Sequence, residues 1–412
     1  MARKMKDSGI EWIGEIPEGW EVAPLKRFAS IQTGNTPTKT SDSNYYASTG
    51  IPWIKPDNLG YSHSISKTSE YLTSEGALCA RIMPPNTVYV CCIGSLGKVG
   101  YSSISCACNQ QINALIFNDL MFWKYGYYLT IAQESQYLLF GNGNVLQIIN
   151  STSQGNIACV LPPLENQHLI ACYLDSVCSD IEILIAKARS SIEEYKKLKQ
   201  AVITQAVATQ QCSHIKLKYL MNVIVDCPHE TPTYSFTGNY YVIRTADQAL
   251  ASLRRDEDMY RLDASEYKKR TRRLTLDKDD IVYGREGERW GLACIVPESN
   301  KYCLGQRIMQ FRCNTKFLYP KYAMYTLNSE PVYLQGVADT IGSTSPHVNI
   351  STICNYLLPV PALTEQKEIA NYLDAKCAEI DRLIAKKEQL VKELESYKKS
   401  LIYEVVTGKR EV

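Results

Sequence analysis

The sequence predicts an α+β protein: two mixed, strand-rich domains separated by two long helices that form an antiparallel coiled coil, with a pseudo-two-fold internal repeat. Three observations lead there. Residues 164 to 207 return, altered but recognisable, at 363 to 406 with a constant offset of 199. Each copy carries apolar residues at helical spacing and contains no Pro or Gly. Each also follows a segment of short β-branched and aromatic runs punctuated by Gly and Pro, the composition of strands and turns.

The helices are the plainest elements. Leu164-Glu165-Asn166-Gln167 is matched by Leu363-Thr364-Glu365-Gln366, and Ile170-Ala171-Cys172-Tyr173-Leu174-Asp175 by Ile369-Ala370-Asn371-Tyr372-Leu373-Asp374. Ile170, Tyr173, Leu174, Val177, Ile181, Leu184, Ile185 and Ala188 recur at steps of three and four, which winds one apolar stripe along a helical face. Ile181, Leu184 and Ile185, with Ile380, Leu383 and Ile384, are the residues expected where each helix meets its partner. Pro162-Pro163 and Pro361 punctuate the starts and Gly408 the second stop. At 1.5 Å per residue such a helix measures roughly 65 Å, the length of a spacer.

The predicted boundaries are a first domain at 1–160 with an arm at 1–22, a helix at 161–210, a second domain at 211–359 and a helix at 360–412. The arm reads as irregular chain pinned by Trp12 and Trp20. Leu25 to Ile31 reads as a strand or short helix, Ile51 to Asp57 as strand then turn, and Asn86 to Ile93 as a buried strand. A further strand reaches Cys108-Asn109-Gln110-Gln111, Phe122 to Tyr137 reads as helix, and Gly141 to Asn144 as loop. In the second domain Ile215 to Leu220 stands where Pro24 to Phe28 stood. Asp279 to Gly287 resembles the strand and turn ending at Gly94, and Cys303-Leu304-Gly305-Gln306 resembles Cys108-Asn109-Gln110-Gln111. Gly342 and Asn349 follow Gly143 and Asn150 on the offset of the helices, so the repeat includes domain plus helix.

At 412 residues, 45% hydrophobic and 21% charged, the composition is that of a soluble globular protein of two or three domains. No apolar run reaches membrane-span length and the basic start leads into no signal peptide, so a cytoplasmic location is expected. Fifteen cysteines, scattered and with no CxxC, fit reduced buried thiols rather than a disulfide framework or a zinc site. A net charge of +2 argues neither for nor against a polyanionic partner. The one dense basic stretch, Lys268-Lys269-Arg270-Thr271-Arg272-Arg273, reads as a solvated loop.

Catalytic signatures are missing. No G-x-G-x-x-G after a strand, Walker loop, G-x-S-x-G or H-E-x-x-H occurs, and the five histidines hold no metal-ligand spacing. No catalytic residue, metal or bound cofactor is therefore expected of this chain.

Four stretches together resemble one family. They are Ser8-Gly9-Ile10-Glu11-Trp12-Ile13-Gly14-Glu15-Ile16-Pro17-Glu18-Gly19-Trp20, Leu161-Pro162-Pro163-Leu164-Glu165-Asn166-Gln167, Gly342-Ser343-Thr344-Ser345-Pro346-His347-Val348-Asn349, and Leu401-Ile402-Tyr403-Glu404-Val405-Val406-Thr407-Gly408-Lys409. The chain resembles the specificity subunit of type I restriction-modification systems along its whole length. The resemblance implies that each domain recognises one half of a bipartite double-stranded DNA target. It also implies that the helices hold two methyltransferase subunits, which methylate adenines with S-adenosylmethionine, and that nuclease-translocase subunits using ATP and Mg join them. The first half departs from the pattern, with Asn144-Val145-Leu146-Gln147-Ile148-Ile149-Asn150 where Ser343 to Asn349 keeps the family form.

Base edges in the major groove are read by Arg on guanine and by Asn or Gln on adenine, while Lys and main-chain amides fix phosphates. On that chemistry the first domain offers Gln32, Thr33, Asn35, Ser95, Lys98, Asn109, Gln110 and Gln111 as candidate DNA contacts. The second offers Arg285, Arg289, Trp290, Gln306 and Arg307, with His347 from the family stretch. The plainer role for Gln111 and Gln306 is that of turn-stabilising amides. A protein-binding adaptor of the same architecture is the alternative function; salt-dependent duplex binding separates the two.

Overall fold

The computed structural model describes residues 3–37, 44–60, 64–142, 147–208, 212–287, 289–339 and 347–412. The chain packs as two units, Met1–Ala188 with Gln389–Val412, and Arg189–Glu388. The division falls inside the two long helices, so each unit takes part of both.

The first unit is built on an antiparallel sheet in the order Val99–Ser102, Thr87–Cys91, Ile112–Phe117, Ala29–Thr33. Thr87–Cys91 is buried along its whole length, because its alternating side chains serve two cores. Val88 and Val90 join the core shared with the helices, while Tyr89 and Cys91 face Ile54, Met83, Cys106 and Cys108. A second sheet places Cys106–Cys108 parallel to Ile51–Ile54.

The second unit repeats this plan. Its antiparallel sheet runs Met221–Asp226, Ile308–Cys313, Ile281–Gly284, Ala293–Ile295. The same alternation sends Ile281 and Tyr283 to one core and Val282 to the other. Tyr302–Leu304 lies parallel to Tyr240–Ile243, as Cys106–Cys108 does to Ile51–Ile54. Each unit also pairs the strand that enters its domain with the strand that leaves it: Glu21–Pro24 with Ala158–Leu161, and Ser213–Lys216 with Leu357–Val360.

The long helices span Leu164–Ala208 and Leu363–Val406. Where each leaves its domain, a buried glutamine closes the junction. Gln167 donates to the carbonyls of Leu120 and Pro162 and accepts from the Phe122 amide. Gln366 does the same with Phe317, Pro361 and Tyr319. About two turns further on, Tyr128 donates to Asp175 at 2.7 Å and Tyr325 to Asp374 at 2.8 Å. Lys124 and Lys321 pair with the same two carboxylates.

Each unit contains an antiparallel crossing of the two helices. Lys398 meets Glu182 in the first, and Lys199 meets Asp381 at 2.9 Å in the second, positions related by the repeat offset. Ile181, Ile185 and Ile380 are buried, and Ile384 is half-buried. Leu184 and Leu383, expected in the seam, are instead exposed. The buried stripe of the first helix follows Leu174, Cys178, Ile181, Ile185 and Ala188, and Leu184 stands to one side of it.

The two chain-end motifs fold together within the first unit. Tyr403 donates to the carbonyls of Trp12 and Ile13, and Lys409 to that of Ile13. Tyr125 donates to both Val160 and Val406 at 3.0 Å. Gly408, at φ +74°, lies where a Cβ would strike Pro17 and Trp20. The left-handed backbone and the close ring contact both require glycine.

Three expectations are corrected. The arm, described from residue 3, is not wholly irregular: Met5–Asp7 pairs with Glu15–Pro17 as a hairpin and Glu21–Pro24 is a strand. Phe122 to Tyr137 forms two helices, Trp123–Ala132 and Glu134–Phe140, parted at Gln133, whose amide turns inward to the Ala158 carbonyl. The basic stretch is no loop, since its first three residues close the helix Ala264–Arg270 and Arg270 is buried.

All fifteen cysteines are free thiols, and only Cys79 and Cys172 are exposed. Burial pushes Cys92, Cys108, Cys159, Cys294, Cys303 and Cys313 up to about 12, so these stay protonated and unreactive at pH 8. Native alkylation at pH 8, read by peptide mass spectrometry, is expected to label Cys79 and Cys172 quickly and the half-buried Cys212 and Cys354 slowly. The remaining thiols should label only after unfolding; fast native labelling of any of them would contradict this packing.

Candidate nucleic-acid interface

At one end of each antiparallel sheet, three loops close on one another through main-chain hydrogen bonds. In the first unit the amide of Cys92 donates to the Gln111 carbonyl at 2.7 Å, and that of Ile149 to the Cys92 carbonyl at 3.0 Å. Ile93 forms an antiparallel bridge with Ile148. In the second unit the amide of Arg285 donates to the Arg307 carbonyl at 2.9 Å, and that of Val348 to the Arg285 carbonyl at 3.2 Å. Glu286 bridges His347. The two tips therefore share one backbone frame, in which Cys92, Ile93, Gln111 and Ile148 correspond to Arg285, Glu286, Arg307 and His347. This corrects the sequence alignment of the turns by one residue: Gln111 corresponds to Arg307, and Gln306 to Gln110.

The side chains on the frame differ in chemistry. In the second unit Arg285 is buried, pairs with Glu286 and has Nε 3.5 Å from Asp226 Oδ1. Arg307 is 54% exposed along its side chain and sits 3.9 Å from the other oxygen of Glu286. Its φ of +67° is a left-handed conformation that costs a residue other than glycine roughly 1 kcal/mol. Its amide donates to the sulfur of Cys227 at 3.1 Å, which holds the turn against the neighbouring loop. Gln306 donates to the His229 carbonyl and to Thr231, so it braces the same loop. Arg270 donates to the carbonyls of Leu304, Glu230 and Pro228, which ties the end of its helix to the loop that Gln306 braces, and Lys268, Arg272 and Arg273 around it are exposed.

In the first unit Gln110 is exposed and pairs with Thr36. Asn109 is buried, where it accepts from the Gln111 amide and donates to its side chain; both residues act here as turn amides. Thr33 donates to Asn113, and Asn35 joins the Cys79 carbonyl and the Arg81 amide. Gln32, Ser95 and Lys98 are exposed. Burial and the neighbouring Cys91 push the Cys92 thiol up to about 12, so this tip carries no thiolate.

Two candidates in the second unit have structural duties. Trp290 is buried, stacked on Tyr333 at 4.4 Å between ring centroids, and its ring lies 2.8 Å from where a Cβ on Gly336 would stand. It is a core residue and not a surface contact. Arg289 is exposed but donates to the carbonyls of Ala246 and Gln248 at 3.0 and 3.1 Å.

Residues that the sequence did not single out complete the tips. Glu286 organises both arginines, Ile148 is 43% exposed beside Ile93, and Arg81 donates to the Thr33 carbonyl at 2.7 Å. The signal for Ile148 lay in the offset of 199 to His347; Glu286 and Arg81 carried none. Gly342 to Pro346 and Asn144 to Leu146 lie outside the described residues. Among the described residues no group of His, Cys, Asp and Glu could hold a metal ion, and no helix is long and apolar enough to cross a membrane.

Comparison with known proteins agrees with this duplicated layout. The family described as type I restriction modification DNA specificity domain matches residues 17–194 and again 227–394. The MjaVIII specificity subunit of Methanocaldococcus jannaschii is 23% identical over 96% of this chain and 93% of its own length. The StySPI specificity subunit of Salmonella potsdam is 22% identical over 96% and 90%. The HindI specificity subunit of Haemophilus influenzae is 30% identical, but over only 36% of this chain and 33% of its own length. A chain from a solved structure of the type I R-M system, described in terms of complex assembly and conformational transition, superposes with a TM-score of 0.70. That superposition spans 96% of this chain and 99% of the other at 15% identity, a likeness of fold.

Proposed function

Because the chain belongs to the type I restriction-modification DNA specificity family, we propose that each domain tip binds one half of a bipartite double-stranded DNA target. The chain is a specificity subunit and itself non-catalytic. The observation that carries the proposal is the pair of tips, one main-chain frame bearing two unlike sets of side chains. A frame that fixes loop positions while its side chains vary is what recognition of different base sequences requires. Lys98 on the first unit, and Lys268, Arg272 and Arg273 on the second, are exposed cations suited to phosphate contacts.

Catalysis in this reading belongs to partners. Two methyltransferase subunits carrying S-adenosylmethionine would methylate adenines, and nuclease-translocase subunits would use ATP and Mg. The helical repeat offers two methyltransferase copies the same surface, since Leu184 and Leu383 are exposed at equivalent positions. The assembly would work in the cytoplasm, where its DNA lies.

The test is co-expression with candidate methyltransferase subunits, purification of the complex and mapping of methylated adenines in DNA. Methylation confined to one two-part sequence is expected. Exchange of residues 211–359 for the corresponding domain of a relative should change one half-site and leave the other intact; a change in both halves would defeat the modular reading. Duplex binding should weaken linearly in log affinity against log salt.

A further inference from the structure

We propose that the two tips read base pairs of opposite kind: the first takes an A·T pair and the second a G·C pair at the frame positions they share. The inference rests on the DNA-binding function proposed above and goes beyond it by assigning base chemistry to particular residues.

The frame makes the comparison possible. Because the same main-chain hydrogen bonds join Cys92 to Gln111 and Arg285 to Arg307, the two turns can be compared position by position, although Arg307 is left-handed at φ +67° where Gln111 is not. In the second unit the matched places hold Arg307, Glu286 and His347. An arginine fork donates two hydrogen bonds to O6 and N7 of guanine, and a carboxylate accepts from the N4 amino group of cytosine. Glu286 lies against Arg307, so donor and acceptor stand side by side as the two edges of a G·C pair require. Arg307 also holds a left-handed backbone that glycine would adopt more easily. A long charged side chain at such a position is consistent with a role for its guanidinium outside the fold, and that group is exposed.

In the first unit no charge occupies the matched places. Gln111 replaces Arg307 but spends its side-chain oxygen on Asn109, Ile93 replaces Glu286 and the exposed Ile148 replaces His347, so the exposed amide of this turn is that of Gln110. A side-chain amide bonds N6 and N7 of adenine, and an aliphatic group packs on the C5-methyl of thymine. An isoleucine at the place of Glu286 leaves a cytosine amino group without an acceptor, which disfavours G·C there.

The experiment is methylation by the complete complex, with its methyltransferase subunits, on duplexes randomised through both half-sites. Wild type should show a G·C requirement in the half-site governed by residues 211–359 and an A·T requirement in the other. Arg307→Gly suits the backbone and removes the fork; it should cut the preference for guanine at one position about tenfold or more, leaving the first half-site unchanged. Arg307→Lys, which retains charge without the fork, should relax the same position. Gln110→Ala, which leaves the Asn109–Gln111 turn amides in place, should relax only the first half-site. Full retention of base preference by Arg307→Gly, in a complex that still methylates, would overturn the assignment while leaving the DNA-binding function standing. Wild-type complex that methylates without any sequence preference would defeat both.

Discussion

Replacing Gln366 by Leu is expected to lower the stability of the second unit by roughly 3 to 6 kcal/mol. The amide is fully buried, donates to Phe317 and Pro361 at 2.9 Å each and accepts from the Tyr319 amide at 2.8 Å. Leucine fills similar space but leaves all three main-chain groups without this partner, at about 1 to 2 kcal/mol for each because two of the bonds are only part-buried. For a unit of this size, each kcal/mol corresponds to about 2 to 4 °C in Tm. The same change at Gln167 should destabilise the first unit, since Gln167 bonds Leu120, Pro162 and Phe122 in the same way. Calorimetry and hydrogen exchange at the Tyr319 amide provide the check. A shift below about 2 °C for Gln366→Leu would mean that water or a shifted loop satisfies these groups.

That glutamine shows what a sequence can carry. Both copies stand beside the prolines at the start of a long helix, and both were visible as repeat and as family motif. Their task was not, because two of the three groups that each bonds lie 45 to 49 residues earlier. The helices were legible for a local reason: apolar spacing and missing helix breakers are properties of neighbouring residues. The exposure of Leu184 was harder, since a stripe several residues wide does not declare its own centre.

The tips were only partly legible. Loop chemistry singled out Arg307 and Gln110, both exposed, but it also selected Trp290, whose burial depends on a missing side chain at Gly336, 46 residues further on. It passed over Glu286 because an acidic residue does not resemble a DNA contact until the arginines around it are placed. The one-residue error between Gln306 and Arg307 has a similar origin. Insertions of different size within the domains shift the offset away from 199, and only hydrogen bonds across the sheet restore the correspondence.

Gly34→Ala is expected to abolish recognition by the first tip while sparing the second unit. A Cβ at this position would stand 2.2 Å from the Cys108 carbonyl oxygen and 2.4 Å from that of Asn109, and neither is a flexible side chain that could turn aside. The chain must therefore separate, which breaks the bonds from the Gly34 amide to Ile112 and from the Asn35 amide to Cys108, both 3.0 Å. Overpacking costs about 1 to 3 kcal/mol and the two lost bonds about 1 kcal/mol each, so roughly 3 to 5 kcal/mol falls on the loop that supports Gln110 and Gln111. Gly19→Ala is the matched control, because no atom lies within 4 Å of its added methyl group. Hydrogen exchange should rise at Gly34-Asn35 and along the 109–111 turn in Gly34→Ala and remain unchanged in the control. In the complex, methylation by Gly34→Ala should lose its base preference in the first half-site only. Unaltered methylation specificity, with exchange at Asn35 still slow, would show that the two loops part without consequence and that the first tip is not built on their contact.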